Sequence, residues 1–153
     1  LGGCATVKSA SHSSPVVKAI NGQNEELSAV APTFITAKGL TTRLAGDSLF
    51  KPGSARLSAE GKSKVDSIAA VLKRYPMDQI SVLDYTDNSG SVSGNLRISK
   101  KRAEIVQAEL VAQAIPAAKM TAAGMGEADP IVANKTAAER AQNRRVELEI
   151  VVP

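Results

Sequence analysis

An aspartate and an arginine are the two side chains whose positions in this sequence invite chemistry. Asp87 stands in Thr86-Asp87-Asn88-Ser89-Gly90, a cluster of turn formers that closes a short apolar run. Arg102 falls between Ile98 and Ile105-Val106 at helical spacing, on what reads as an apolar stripe. A guanidinium there needs an anion, because an unmatched buried charge is costly. Two readings stay open. Asp87 and Arg102 pair as a structural salt bridge, or they present opposite charges to a zwitterion, the Arg fork taking a carboxylate and the Asp an ammonium. Hydrolytic chemistry by Asp84, Asp87 or Glu127 is a rival. It needs two carboxylates about 5–9.5 Å apart, one of raised pKa, flanking one bond, whereas a nearby Arg102 should lower a carboxylate's pKa. The only histidine, His12, and the only cysteine, Cys4, lie in a polar N-terminal stretch, away from Asp87 and Arg102. No nucleophile–base set, disulfide or multi-cysteine metal site follows from them. The expectation is a binding protein rather than an enzyme, with no metal and no cofactor.

Positioning Asp87 and Arg102 takes a strand and then a helix. Gln79 to Tyr85, with Ile80, Val82 and Leu83, reads as a strand that delivers Thr86 and Asp87 to its C-terminal edge. A helix from about Gly94 or Asn95 to Ala114 should bury Ile98, Ile105, Val106 and Leu110. Upstream, Ile35 to Leu44 suggests a first strand or hairpin, Ala45-Gly46-Asp47 a turn and Phe50-Lys51-Pro52-Gly53 a loop. Ser58 is a plausible N-cap for a helix carrying Val65, Ile68, Ala69 and Leu72. Downstream come a strand at Met120 to Gly124, a short helix with Thr136 and Glu139 at capping-box spacing, and a last strand in which Val146, Leu148, Ile150 and Val152 alternate. Strands alternating with helices imply an α+β fold, a sheet with helices packed on one face.

With 153 residues, 43% of them hydrophobic, the chain can build one core and not two. We therefore expect a tether over residues 1–34 and one domain over 35–153. The net charge of +4 is spread along the chain, and aromatics make up only 3% with no Trp, which leaves no stacking platforms for nucleic acid. No apolar run approaches the ~20 residues of a membrane-spanning helix. Leu1-Gly2-Gly3-Cys4 resembles the end of a bacterial lipobox. That resemblance implies a lipidated Cys4, anchored by acyl chains at about 0.8 kcal/mol per buried methylene, and Ala5 after it matches lipoproteins sent to the outer membrane. Ala5 to about Pro32, rich in Ser, Ala, Lys, Asn and Gln, reads as a tether with room for one short helix.

Several motifs recur in a familiar order: Phe50-Lys51-Pro52-Gly53-Ser54-Ala55 with Leu57-Ser58, Thr86 to Gly90, Asn95, Ile98-Ser99, Arg102-Ala103, Gly124-Met125-Gly126-Glu127 with Pro130, and Asn143-Arg144-Arg145-Val146-Glu147. Over about residues 40 to 152 the chain resembles the OmpA-like domain. The resemblance implies a two-layer sandwich with a βαβαβ-type core and a mixed sheet of about four strands. It also implies non-covalent binding of peptidoglycan through the diaminopimelate of the stem peptide. Carried over, Asp87 takes the ammonium, Arg102 takes the carboxylate, Thr86 adds contacts, Asn95 holds the loop or the ligand, and Arg144 lines the pocket or is a solvated surface charge. The implied protein is an outer-membrane lipoprotein of a Gram-negative-type bacterium, its domain facing the periplasm. A scaffold of an envelope complex that has lost wall binding, with other envelope proteins as partners, is the alternative. Two residues depart from the family's pattern: Asp84 where Gly is usual and Tyr85 where His is common. Regular alternation turns Asp84 away from Asp87, whereas a bulge would bring it into the pocket.

Overall fold

Buried residues at every second position give three long strands a common apolar face. β2 (Gly39–Ala45), β3 (Gln79–Tyr85) and β5 (Arg145–Val151) align Leu40, Ile150 and Ile80 in one row, Thr42, Leu148 and Val82 in the next, and Leu44, Val146 and Asp84 in a third. These rows are seen in a computed structural model that describes residues 14–153. β1 (Thr33–Ile35) and β4 (Met120–Gly126) complete a five-stranded sheet in the order β1-β2-β5-β3-β4. Only β3 and β4 are parallel. The fold is the expected α+β sandwich, with a fifth strand because residues 33–45 form a hairpin.

Helices cover the apolar face of the sheet. Ser58 caps α3 (Ala59–Leu72) as expected, its Oγ accepting from Gly61 N at 2.9 Å, and Val65, Ile68, Ala69 and Leu72 enter the core. α4 (Val92–Ala112) begins earlier than Gly94 because Ser91 Oγ accepts from Gly94 N at 3.0 Å and caps the helix there. Its buried row is Ser99, Ala103, Val106 and Leu110, while Ile105 is 40% exposed and Ile98 only half-buried, which corrects the stripe read from the sequence. The cause lies in β4. A methyl group at Gly124 would overlap the backbone nitrogen of Lys100, so helix and strand touch too closely for isoleucine, and Ser and Ala fill the gap. The turn expected at Ala45-Gly46-Asp47 is instead the start of a one-turn helix, α2 (Gly46–Leu49), whose Leu49 is buried. α5 (Ala137–Asn143) carries the expected capping box.

The segment read as tether contains α1 (Pro15–Ser28), capped by Ser14. Leu27 joins the same core as the sheet, and the wholly buried Gln23 donates Nε2 to Asp78 Oδ2 at 2.6 Å. Burial pushes the Asp78 carboxyl up, and the bond from Gln23 draws it part of the way back. The remaining stretch of the expected tether, with Cys4 and His12, lies outside the described residues. No described helix is long and apolar enough to cross a membrane.

Closeness of α4 to β4 sets a testable cost. Gly124→Ala should destabilise the domain by about 1–3 kcal/mol in urea denaturation, because the backbone of Lys100 cannot move aside cheaply. Unchanged stability would show that the helix stands off the strand.

Candidate functional site: a charged cluster at the end of β3

Beyond Tyr85 the chain turns through a loop whose own polar groups fix Asp87. Thr86 N donates to Gly126 O at 2.7 Å, and its Oγ1 donates to Asp87 O at 2.8 Å. Ser89 N donates to Asp87 Oδ1 at 2.8 Å, an Asx turn of the kind that Asp favours. From the first turn of α4, Asn95 donates Nδ2 to Ser89 O at 2.9 Å and, more weakly, to Asp87 O at 3.4 Å. Thr86 and Asn95 are therefore loop-holding residues in this structure, and Asp87, only 8% exposed, is the group they present.

Two turns further along α4 stands Arg102, half-buried at the flank of the helix's buried row rather than on it. Its Nε donates to Ser54 O at 2.9 Å, and its guanidinium lies 5.0 Å from the centroid of the Phe50 ring. Among the described residues it forms no ion pair, and its two Nη groups have no hydrogen-bond partner. The Asp87–Arg102 salt bridge allowed by the spacing is not formed. A carbonyl, an aromatic face and partial exposure to water take the place of the anion expected there.

Asp87 is paired instead with Arg144, whose Nη1 donates to Oδ2 at 2.6 Å. Arg144 caps α5 at its C-terminal end and reaches a second carboxylate as well, with Nε on Asp47 Oδ1 and Nη2 on Asp47 Oδ2, both at 2.8 Å. The bond from Arg144 is the main reason that the Asp47 carboxyl falls below its ordinary range. For Asp87, burial pushes upward, but the bonds from Ser89 and Arg144 outweigh it and the net shift is downward. The Arg144 guanidinium is correspondingly held protonated, chiefly by Asp47. Nothing in the sequence flagged Asp47, which is separated from Arg144 by 97 residues. Phe50 and the Ser54 carbonyl were equally unmarked as neighbours of Arg102.

Asp84 and Tyr85, the two departures, lie on opposite faces of the sheet. A bulge exists, but in β4, where Asp84 pairs with Gly124 and Tyr85 with Gly126 so that Met125 is extra. β3 itself stays regular, and Asp84 points among the core-facing rows, 1% exposed, with Oδ2 unpartnered. Burial pushes its carboxyl up to about 8 despite the opposing charges of Arg102 and Arg145. The lowered pKa expected of a carboxylate near Arg102 therefore does not apply to Asp84. Tyr85 carries the Arg145 guanidinium at 3.9 Å on its ring, and Arg145 is held further by Glu147, the Asn143 carbonyl and the Asp129 carbonyl. Glu127 enters no ion pair or side-chain bond of this cluster among the described residues. No cluster of metal-ligating side chains occurs among the described residues either.

The sequence model of the OmpA family matches residues 49–144, a span that holds Asp87, Asn95, Arg102 and Arg144. The Probable lipoprotein YiaD of Escherichia coli (strain K12) is 40% identical over 101 residues, which is 66% of this chain and 46% of that protein. The chain spans about half the length of the curated relatives it matches. The fold is similar to that of the cell wall anchor of the T6SS from Pseudomonas aeruginosa, with a TM-score of 0.73, 26% identity and coverage of 90% of this chain and 96% of that one. It is also similar to the peptidoglycan-associated lipoprotein from Burkholderia pseudomallei, with a TM-score of 0.61, 29% identity and coverage of 67% and 86%.

The burial of Asp84 makes stability depend on pH. The folded protein keeps the Asp84 proton up to about pH 8, whereas the unfolded chain releases it near 3.8, so this group's contribution is lost as pH rises between those values. Asp84→Asn should raise the melting temperature at pH 7.5 and leave it nearly unchanged at pH 4, with a gain of up to about 5 kcal/mol at the higher pH, since each pH unit above 3.8 costs about 1.4 kcal/mol. Equal shifts at both pH values would show that the carboxyl is not held neutral.

Proposed function

Because the chain belongs to the OmpA family, we propose that this domain holds peptidoglycan non-covalently by gripping the diaminopimelate of the stem peptide. Asp87 takes the side-chain ammonium and Arg102 the carboxylate beside it. The observation that carries the proposal is the open Nη edge of Arg102. Its Nε is spent on Ser54 O, so the guanidinium is fixed while both Nη groups, with their four N–H donors, remain for a planar anion. Asp87 keeps capacity for a cation, since each carboxylate oxygen offers two acceptor sites and the protein uses one on each, from Ser89 N and from Arg144 Nη1. Thr86 and Asn95 hold the loop at the pocket's edge, and Arg144 lines it as a second cation. One small zwitterion gives few contacts, and repeated attachment along a polymer supplies the rest.

The anchor half of the proposal rests on Cys4 and on the relatives. Lipid on Cys4 would tie the chain to the outer membrane with the domain in the periplasm, and the lipoprotein and cell-wall-anchor names of its relatives support that placement. The domain is read as a non-enzymatic binder. Asp84, the one acid with a strongly raised pKa, lies under the helices at 1% exposure, out of reach of a glycan chain. A scaffold function has one observation in its favour, the edge strand β1, which exposes Phe34 and Ile35 at 46% and 58%.

Calorimetric titration of the full chain with a diaminopimelate-containing stem peptide tests the proposal. Asp87→Ala and Arg102→Ala should each weaken binding at least tenfold, about 1.4 kcal/mol or more, with the domain still folded by circular dichroism. A folded wild type that fails to bind would remove the wall-binding reading and put the scaffold first.

A further inference from the structure

Asp47 has no part in that reading, yet it makes the best-formed ion pair in the cluster. Among the described residues no other guanidinium engages both oxygens of a carboxylate. The contact is built into the backbone as well as the side chains. Gly46 N donates to Arg144 O at 2.8 Å, and a methyl group on Gly46 would stand 2.9 Å from that same oxygen. α2 therefore sits directly on the chain at Arg144, and the next residue, Asp47, reaches the guanidinium of the residue its neighbour has just bonded. Arg144 is left one free donor edge, and it touches Asp87 through Nη1 alone.

The charges then sum in a useful way. Asp47, Arg144 and Asp87 form a row of minus, plus and minus, with one negative charge in excess. Without Asp47, Arg144 would be free to close over Asp87 with two parallel bonds, and the pair would be neutral and fully occupied. We propose that Asp47 is a positioning residue of the binding site: it holds Arg144 in a two-bond grip, so that Asp87 keeps a charge and an open oxygen for the cationic end of the ligand. This inference rests on the assignment of Asp87 to an ammonium group, and it adds a residue and a direction of effect to it. Asp47 is 57% exposed on its side chain and belongs to no part of the core, so it can be altered without threatening the fold.

The test compares two stem peptides, one with the free diaminopimelate amine and one with that amine acetylated, titrated into the full chain and its Asp47→Asn, Arg144→Gln and doubly substituted forms. Wild type should prefer the free amine, and Asp47→Asn should cut that preference about tenfold through loss of affinity for the free-amine peptide alone. In the Arg144→Gln background the same change should alter the preference less than twofold, because no guanidinium remains to be held; a general loss of negative charge would persist there. Asp47→Glu should restore most of the preference. The Asp87 carboxyl resonance should titrate at lower pH in Asp47→Asn than in wild type. A wild type that prefers the free amine and an Asp47→Asn form that prefers it equally would overturn the positioning role and leave the wall-binding reading intact. A wild type with no preference would overturn that reading and this inference together.

Discussion

Parallel pairing of β3 with β4 is the constraint from which the site follows. Parallel neighbours cannot be joined by a tight turn, so the chain leaving β3 must cross the face of the sheet before it can lie down as β4. α4 is that crossover. The loop that presents Asp87 and the helical turns that carry Asn95 and Arg102 are thereby brought to one edge of the sheet. Gly124 fixes how near the helix lies, and Phe50 and Ser54 fix where the Arg102 guanidinium rests. Arg144 arrives from the far end of the chain because β5 is inserted between β2 and β3, which sets its first residue beside the last residue of each.

Local signals in the sequence carried the fold a long way. The limits of β3, the Ser58 cap and the Thr136–Glu139 capping box depend on residues within a few positions of one another, and each stands where the pattern placed it. The helical stripe was misjudged because periodicity weighs every apolar residue alike. The close contact at Gly124 instead selects small side chains, which leaves Ile105 outside and Ser99 inside. Arg102 was seen to need a partner, and its spacing did not reveal that a carbonyl and a ring would serve. Asp47 was out of reach, since a surface aspartate in a turn-like tripeptide has meaning only once the antiparallel pairing of β2 and β5 sets it beside Arg144.

Asp84 and Asp87 are the same residue type three positions apart, and their surroundings push them in opposite directions. Asp84 occupies a place in the apolar rows, among Leu44, Val146 and Gly124, where nothing donates to Oδ2 and two arginine charges only moderate the cost of burial. Asp87 sits where a loop amide and a guanidinium both donate to it. Two causes separate a neutral acid from a firm anion here: Asp84 lies deep under the helices whereas Asp87 sits at the edge of the sheet, and the bonds from Ser89 and Arg144 offset what burial Asp87 has.

The docked α1 also has a mechanical side. Among the described residues α1 precedes every strand, and the seam that joins it to the body is closed by Leu27 and the Gln23–Asp78 bond. A load between the N-terminal side and the charged cluster at the end of β3 passes through that seam and the strands in series, so if α1 were to peel the chain would lengthen while the cluster kept its shape.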